Sequence, residues 1–183
     1  SFFVIFGYSQ PNITSVTGTV SPLRYHMFDA DIIVSAAYTN PYNYSQVNVY
    51  AIFQQGAIRD TIDGYWFQDY QRADTLHNLS PIGTPHFKIR YSPKTTGSYS
   101  YKVYVRDGTG IDSSNLLTLN SQSSVYKGFL KKSSTNYLQF DDNTSFATIG
   151  LNVAYTQTYF FPEMQKHIDS LSQNNGNTIR KWF

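Results

Sequence analysis

The sequence predicts a mainly β protein, a β-sandwich followed by one strand-helix-strand segment, and three observations carry that prediction. Sixteen Tyr and thirteen Phe accompany only 14% charged residues, against roughly 25% in ordinary globular chains. Aromatic and β-branched side chains suit a half-buried pleated surface, so the composition leans towards strands. From Asn12 to Leu119 the chain is a succession of short strand-like runs closed by turn residues. Only one later stretch, opening at Pro162, carries a helical stripe.

The elements follow in order. "SFFVIFGYSQ" (residues 1–10) opens with the apolar run Phe2–Phe6, then Gly7-Tyr8-Ser9 in a small-x-small pattern. It has the form of the last part of a signal peptide, cleaved before Gln10; the alternative is a first strand, and the run is far too short to span a bilayer. "DIIVSAAY" (Asp31–Tyr38) predicts a strand closed by the Pro/Asn cluster "TNPYNYS". "QVNVYAIF" alternates, with Val47, Val49, Ala51 and Phe53 on one face and Asn48, Tyr50 and Ile52 on the other. "DGYWFQDYQR" is an aromatic strand, and "RADTLHNLSPIGTP" after it lacks periodicity and reads as a long loop. "HFKIRY" sets Phe87, Ile89 and Tyr91 on one face. "SYSYKVYVRDGTG" does the same with Tyr99, Tyr101, Val103 and Val105 before an Asp107-Gly108 turn, and "NLLTL" is a shorter strand. Six to eight such strands in about 110 residues describe a sandwich of immunoglobulin-like kind over residues 11–125, in architecture only, because the Cys pair of antibody domains is absent.

Residues 126–183 read differently. A hairpin is expected from Tyr137–Phe140, the turn Asp141-Asp142-Asn143, and Phe146–Val153. Pro162 suits a first helical position and Glu163 the positive end of the helix dipole. Met164, Ile168 and Leu171 form one stripe, and Asn174-Asn175-Gly176 supply the stop. "NTIRKWF" then reads as a strand, giving one βαβ unit, which cannot bury both of its faces alone. Nothing polar or tail-like follows Phe183, so the sequence reads as a piece cut within a larger fold.

Chemistry-bearing motifs are sparse. The net charge of +2 is scattered, with no footprint for nucleic acid or an anionic membrane. No Cys is present, which excludes disulfides and thiolate metal sites. His26, His77, His86 and His167 share no metal-ligand spacing, and no phosphate loop, dinucleotide fingerprint or nucleophile elbow occurs, so neither a metal nor a cofactor is expected. Glycoside hydrolysis usually needs two carboxyl groups about 5–10 Å apart. The single Glu is a first-turn helix residue; Asp60, Asp63 and Asp69 lie around a turn and a Trp, and Asp141 and Asp142 in a hairpin turn, where Asp side chains bond local backbone. The most arguable site is Tyr65, Trp66 and Tyr70 with Arg72, whose rings can stack on sugar C–H surfaces while Arg72 bonds hydroxyls. Its plainer reading makes Trp66 the core plug of the sandwich.

"NPYNYSQVNVYAIF", "DGYWFQDYQR", "HFKIRYSPKTTGSYSYKVYV" and "GFLKKSSTNYLQFDDNTSFATIGLNV", in that order, resemble the immunoglobulin-like domain of unknown function 5060. That domain precedes the catalytic barrel in a set of secreted bacterial glycoside hydrolases, and the resemblance runs from about Ile13 to the end. It implies that "FATIGLNVAY", "PEMQKHIDSLSQNNG" and "NTIRKWF" are strand one, helix one and strand two of a truncated (β/α)8 barrel, linked by the hairpin. It further implies that Asn152 and Arg180, near the strand ends where barrels place their chemistry, would support a complete active site. The catalytic carboxylates would lie on later strands. The expectation is therefore a non-catalytic accessory domain plus barrel stub. Its partners are its own barrel and, through the parent enzyme, carbohydrate; its location is secreted. The rivals are a stand-alone carbohydrate-binding or adhesion sandwich and a secreted interaction domain without a sugar role.

Overall fold

The computed structural model describes residues 10–72, 79–153 and 160–181. The chain separates into two units, Ser1–Gln68 with Thr84–Tyr126, and Asp69–Gly83 with Lys127–Phe183. The elements are β1 (Ile13–Gly18), β2 (Phe28–Val34), β3 (Val47–Gln55), β4 (Ile58–Asp63), β5 (Tyr65–Arg72), β6 (Leu79–Tyr91) and β7 (Gly97–Asp107). They continue with β8 (Gly110–Ser113), β9 (Leu117–Ser121), β10 (Leu130–Lys132), β11 (Leu138–Phe140), β12 (Ser145–Phe146), β13 (Gly150–Val153), α1 (Phe160–Gln173) and β14 (Thr178–Lys181).

The first unit is built on two sheets, one in the order β1-β2-β6-β5 and one in the order β4-β3-β7-β8, with β9 also pairing β7. Strict alternation explains the core. Val47, Val49, Ala51 and Phe53 of β3 are buried, as are Tyr99, Tyr101, Val103 and Val105 of β7, all as their spacing predicts. Phe28, Ala30 and Ile32 of β2 and Phe87, Ile89 and Tyr91 of β6 join them in one cluster. Phe53 lies at its centre, stacked on Tyr91 at 4.1 Å and Tyr101 at 5.0 Å and edge-on to Phe28 at 5.8 Å. Backbone bonds from Arg24 to Gln122 and from Gln122 to Pro22 tie the β1–β2 connection to the end of β9.

Two sequence expectations shift. The second strand starts at Phe28, not Asp31, because Asp29 and Asp31 point outward against Arg90 and Lys88 of β6 instead of breaking the strand. The stretch read as a long loop is partly strand, since β6 begins at Leu79. Residues Leu79–Pro85 are all exposed, and a ribbon wet on both sides has no apolar alternation to betray it.

In the second unit β10, β11 and β12 form an antiparallel meander. Asn143, in the left-handed region at φ 68°, turns β11 into β12, and Phe140 meets Phe146 edge-on at 5.4 Å. The predicted Asp-Asp-Asn turn is thus present, although the strand after it pauses between Phe146 and Gly150. β13 and β14 pair in parallel across α1. The helix ends in a Schellman arrangement: Asn175 is left-handed at φ 56°, Gly176 N donates to Leu171 O at 2.8 Å, and Asn175 N donates to Ser172 O at 3.2 Å. Gly150 permits the strand pairing, because a Cβ there would collide with the Thr178 carbonyl. Asn177 pins both strands, accepting from Ile149 N at 3.0 Å and donating to Ala147 O at 2.8 Å. Among the described residues of this unit only Val153 is a buried hydrophobic side chain.

Candidate functional site

Strand β5 divides the predicted aromatic site between two faces. Trp66 turns inward, where it packs against the core and meets Phe87 edge-on at 4.8 Å. Tyr65 and Phe67 lie on the outer face, ring centroids 6.3 Å apart. Tyr70 is 52% exposed further along the strand, and the side chain of Arg72 lies outside the described residues, as does His77. The structure therefore brings Tyr65 and Trp66 to one strand with their rings on opposite faces, although both residues line one small cleft.

Beside Trp66 a cleft of about 60 Å³ is lined by Pro41, Tyr42, Tyr44, Val47 and Phe87, among others. Tyr42 and Tyr44 stand on its rim, 69% and 61% exposed. Their turn is held by asparagines: Tyr42 N donates to Asn40 Oδ1 at 3.1 Å and Ser45 N to Asn43 Oδ1 at 2.9 Å. Small-molecule sites usually enclose about 300–1,000 Å³, so this cleft is too small to engulf a sugar. What it offers is the exposed tyrosine rim.

The outer face carries a charge ladder. Arg90 grips Asp29 with Nε and Nη2, each at 2.8 Å. Lys88 Nζ and His86 Nε2 each lie 3.1 Å from Asp31 Oδ1. Lys88 Nζ also sits 4.0 Å above the Phe67 ring, and Arg90 lies 5.8 Å from Tyr65. The Arg90 hydrogen bond holds the Asp29 carboxyl below the usual carboxylate range, against the opposing effect of partial burial. Burial pushes the Tyr65 phenol up, and its hydroxyl has no hydrogen-bond partner among the described residues. Sequence reasoning missed this face, yet the signal was present: His86-x-Lys88-x-Arg90 answers Asp29-x-Asp31 at period two.

The ladder invites a test against hydrolytic chemistry. Two residues apart on one strand face, Asp29 and Asp31 are about 6–7 Å apart, inside the window for glycosidase carboxylates. A general acid needs a raised pKa, and Asp29 moves the other way under a bidentate arginine. The pair is a register clamp between β2 and β6.

Asp107 and Asp142 bond residues of their own turns, as predicted, whereas Asp60 lies within β4 instead of at a turn, and Asp60 and Asp141 bond groups 31 and 12 residues away. Asp107 Oδ1 accepts from Thr109 N and Thr109 Oγ1 at 2.7 Å, while its Oδ2 receives the Tyr38 hydroxyl at 3.1 Å. Burial and that bond push the Tyr38 phenol up. Asp60 Oδ2 accepts from the Tyr91 hydroxyl at 2.9 Å, and the Tyr91 phenol rises through burial and this bond. Asp142 Oδ1 accepts from Thr144, and Asp141 Oδ2 from Phe129 N. Among the described residues no three His, Cys, Asp or Glu side chains gather as metal ligands, and no helix is long and apolar enough to cross a membrane.

In the second unit Asn152 and Arg180 are direct partners in the parallel register of β13 and β14. The two residues named for a barrel site are thereby side by side on adjacent strands.

Residues 22–106 match the family described as domain of unknown function 5060. No curated protein matches the chain. Among solved structures, the chain is similar to a Bacteroides vulgatus protein provisionally described as a glycoside hydrolase. The TM-score is 0.62 at 15% identity, over 88% of this chain and 28% of that one. At that identity the likeness is one of fold, and this chain spans little more than a quarter of its neighbour's length.

Proposed function

We propose that the chain is the N-terminal accessory module of a secreted glycoside hydrolase, an immunoglobulin-like sandwich joined to the opening strand-helix-strand of a (β/α)8 barrel, and that it has no hydrolytic activity of its own. One observation carries the reading: a region matching domain of unknown function 5060 is followed by two parallel strands connected through a helix. Parallel strands are found almost only in sheets covered on both faces. Here Ile149, Leu151 and Ile168 remain 57%, 38% and 46% exposed, as suits a layer whose neighbours are missing. The neighbour provisionally described as a glycoside hydrolase, matched over 88% of this chain, supports the same reading. In the complete barrel Asn152 and Arg180 would orient a catalytic carboxylate supplied by a later strand.

A second reading, a stand-alone carbohydrate-binding module, is favoured by the exposed Tyr42 and Tyr44 beside Trp66. Reducing-sugar release from a panel of plant and bacterial polysaccharides separates enzyme from module. The 183-residue chain should release none. Hydrolysis by it that disappears in an Asp29→Asn or Asp31→Asn variant would overturn the proposal.

A further inference from the structure

We infer that a groove on the outward face of the five-stranded sheet binds an acidic oligosaccharide through the carboxylate of a uronic acid residue. The inference rests on the accessory-module reading, which supplies carbohydrate as the ligand class, and goes beyond it by naming a site and a charge.

The groove is about 220 Å³ and is built from three adjacent strands, β4, β3 and β7, with Leu116 closing one side. Outward positions alternate with core positions, so Ile52 and Gln54 of β3, Ser100, Lys102 and Tyr104 of β7, and Arg59 of β4 share this surface. Ile52 makes an apolar floor. Tyr104 is braced by Tyr50 of the neighbouring strand, stacked at 5.0 Å with the planes 10° apart, so its ring is already held in place.

The cations decide the ligand. Arg59, Lys102 and, further along, Arg106 lie on this face, and none of them pairs with a carboxylate among the described residues. The opposite sheet is different: there Lys88 and Arg90 are each matched to an aspartate. Arg59 stands opposite Gln54, and Lys102 opposite Ile52, two strands and two residues away. Neighbouring strands are about 4.8 Å apart, which puts the two backbones roughly 12 Å apart with the groove between them. Lys102 Nζ rests 5.7 Å from the Tyr104 ring centroid, and a carboxylate entering the groove would draw this flexible ammonium towards the arginine fork so that both engage it. Gln54 and Ser100 are within the same lining for sugar hydroxyls, and the C–H face of a pyranose fits over Ile52 and Leu116. A neutral sugar would cover both cations without neutralising either, a cost that selects against it. At about 220 Å³ the groove cradles one sugar residue rather than enclosing it, and the face lacks the long basic stripe that nucleic acid requires.

The test is titration calorimetry of the 183-residue chain with tetramers of galacturonate and mannuronate and a hyaluronan tetrasaccharide, each beside its carboxyl-methylated form. One uronate oligomer should bind, and more weakly at high salt. Its methylated form should bind about tenfold or more weakly, as should Arg59→Gln and Lys102→Gln variants whose thermal unfolding is unchanged. A Lys94→Gln variant, on an exposed turn, should bind like the parent. Equal affinity for acidic and methylated forms, indifference to both groove substitutions, absence of uronate binding, or tighter binding of an oligonucleotide or acidic peptide would each overturn the inference. None of those results bears on the accessory-module reading, which fails instead if the chain itself hydrolyses polysaccharide.

Discussion

At the residue scale, the aspartates show how a side chain's partner decides its chemistry. Asp29 is held ionised by Arg90, with both partners partly wet, so the pair is worth about 1 kcal/mol after solvent screening. Its folded-state pKa lies below the unfolded value of about 3.9, so the contribution is full above that value and disappears as pH falls through the lowered folded one. Asp29→Asn should therefore lower the melting temperature at neutral pH, with the gap to the parent closing in acid; a gap of equal size at low pH would show that packing, not charge, is responsible. Trp66 is a packing residue on its inner face. Trp66→Ala should cost about 3 kcal/mol in urea unfolding, whereas an unchanged stability with lost sugar affinity would return it to the binding site proposed from sequence.

At the element scale, strands with one dry face were legible and strands without one were not. β3 and β7 follow their predicted alternation residue by residue because one face of each meets the core. The start of β6 was invisible because both of its faces are wet, and the start of β2 because its outward aspartates mimic a turn. The helix stop at Asn174–Gly176 was legible because its geometry is local. The site was read less well: aromatic clustering in "DGYWFQDYQR" was visible, but period two sends neighbours to opposite faces, and the groove on the other sheet depends on long-range pairing that no short window contains. The parallel pair β13–β14 rests on close approach at Gly150. Gly150→Val should expose residues 150–181 to limited proteolysis while leaving the first unit's amides protected. Unchanged protection of both regions would mean that the pairing is not what holds this segment.

At the scale of the whole molecule, apolar burial is uneven. The first unit gathers its core from both sheets, whereas the second buries Val153 alone among its described hydrophobic residues. Residues 10–126, which carry the first unit together with residues 69–83, should consequently unfold in one cooperative transition when produced alone and sediment as a monomer; a non-cooperative melt would show that the first unit depends on residues 127–183. Phe53→Ala at the centre of that core should cost about 3–5 kcal/mol and unfold much of such a domain. On the proposed reading, further strands and helices would cover the second unit. The most direct test of the account is to read the coding frame beyond Phe183. The account predicts that it continues for about 200 residues or more, in repeating strand-helix units with Glu at the ends of later strands. A stop codon directly after Phe183 would contradict it.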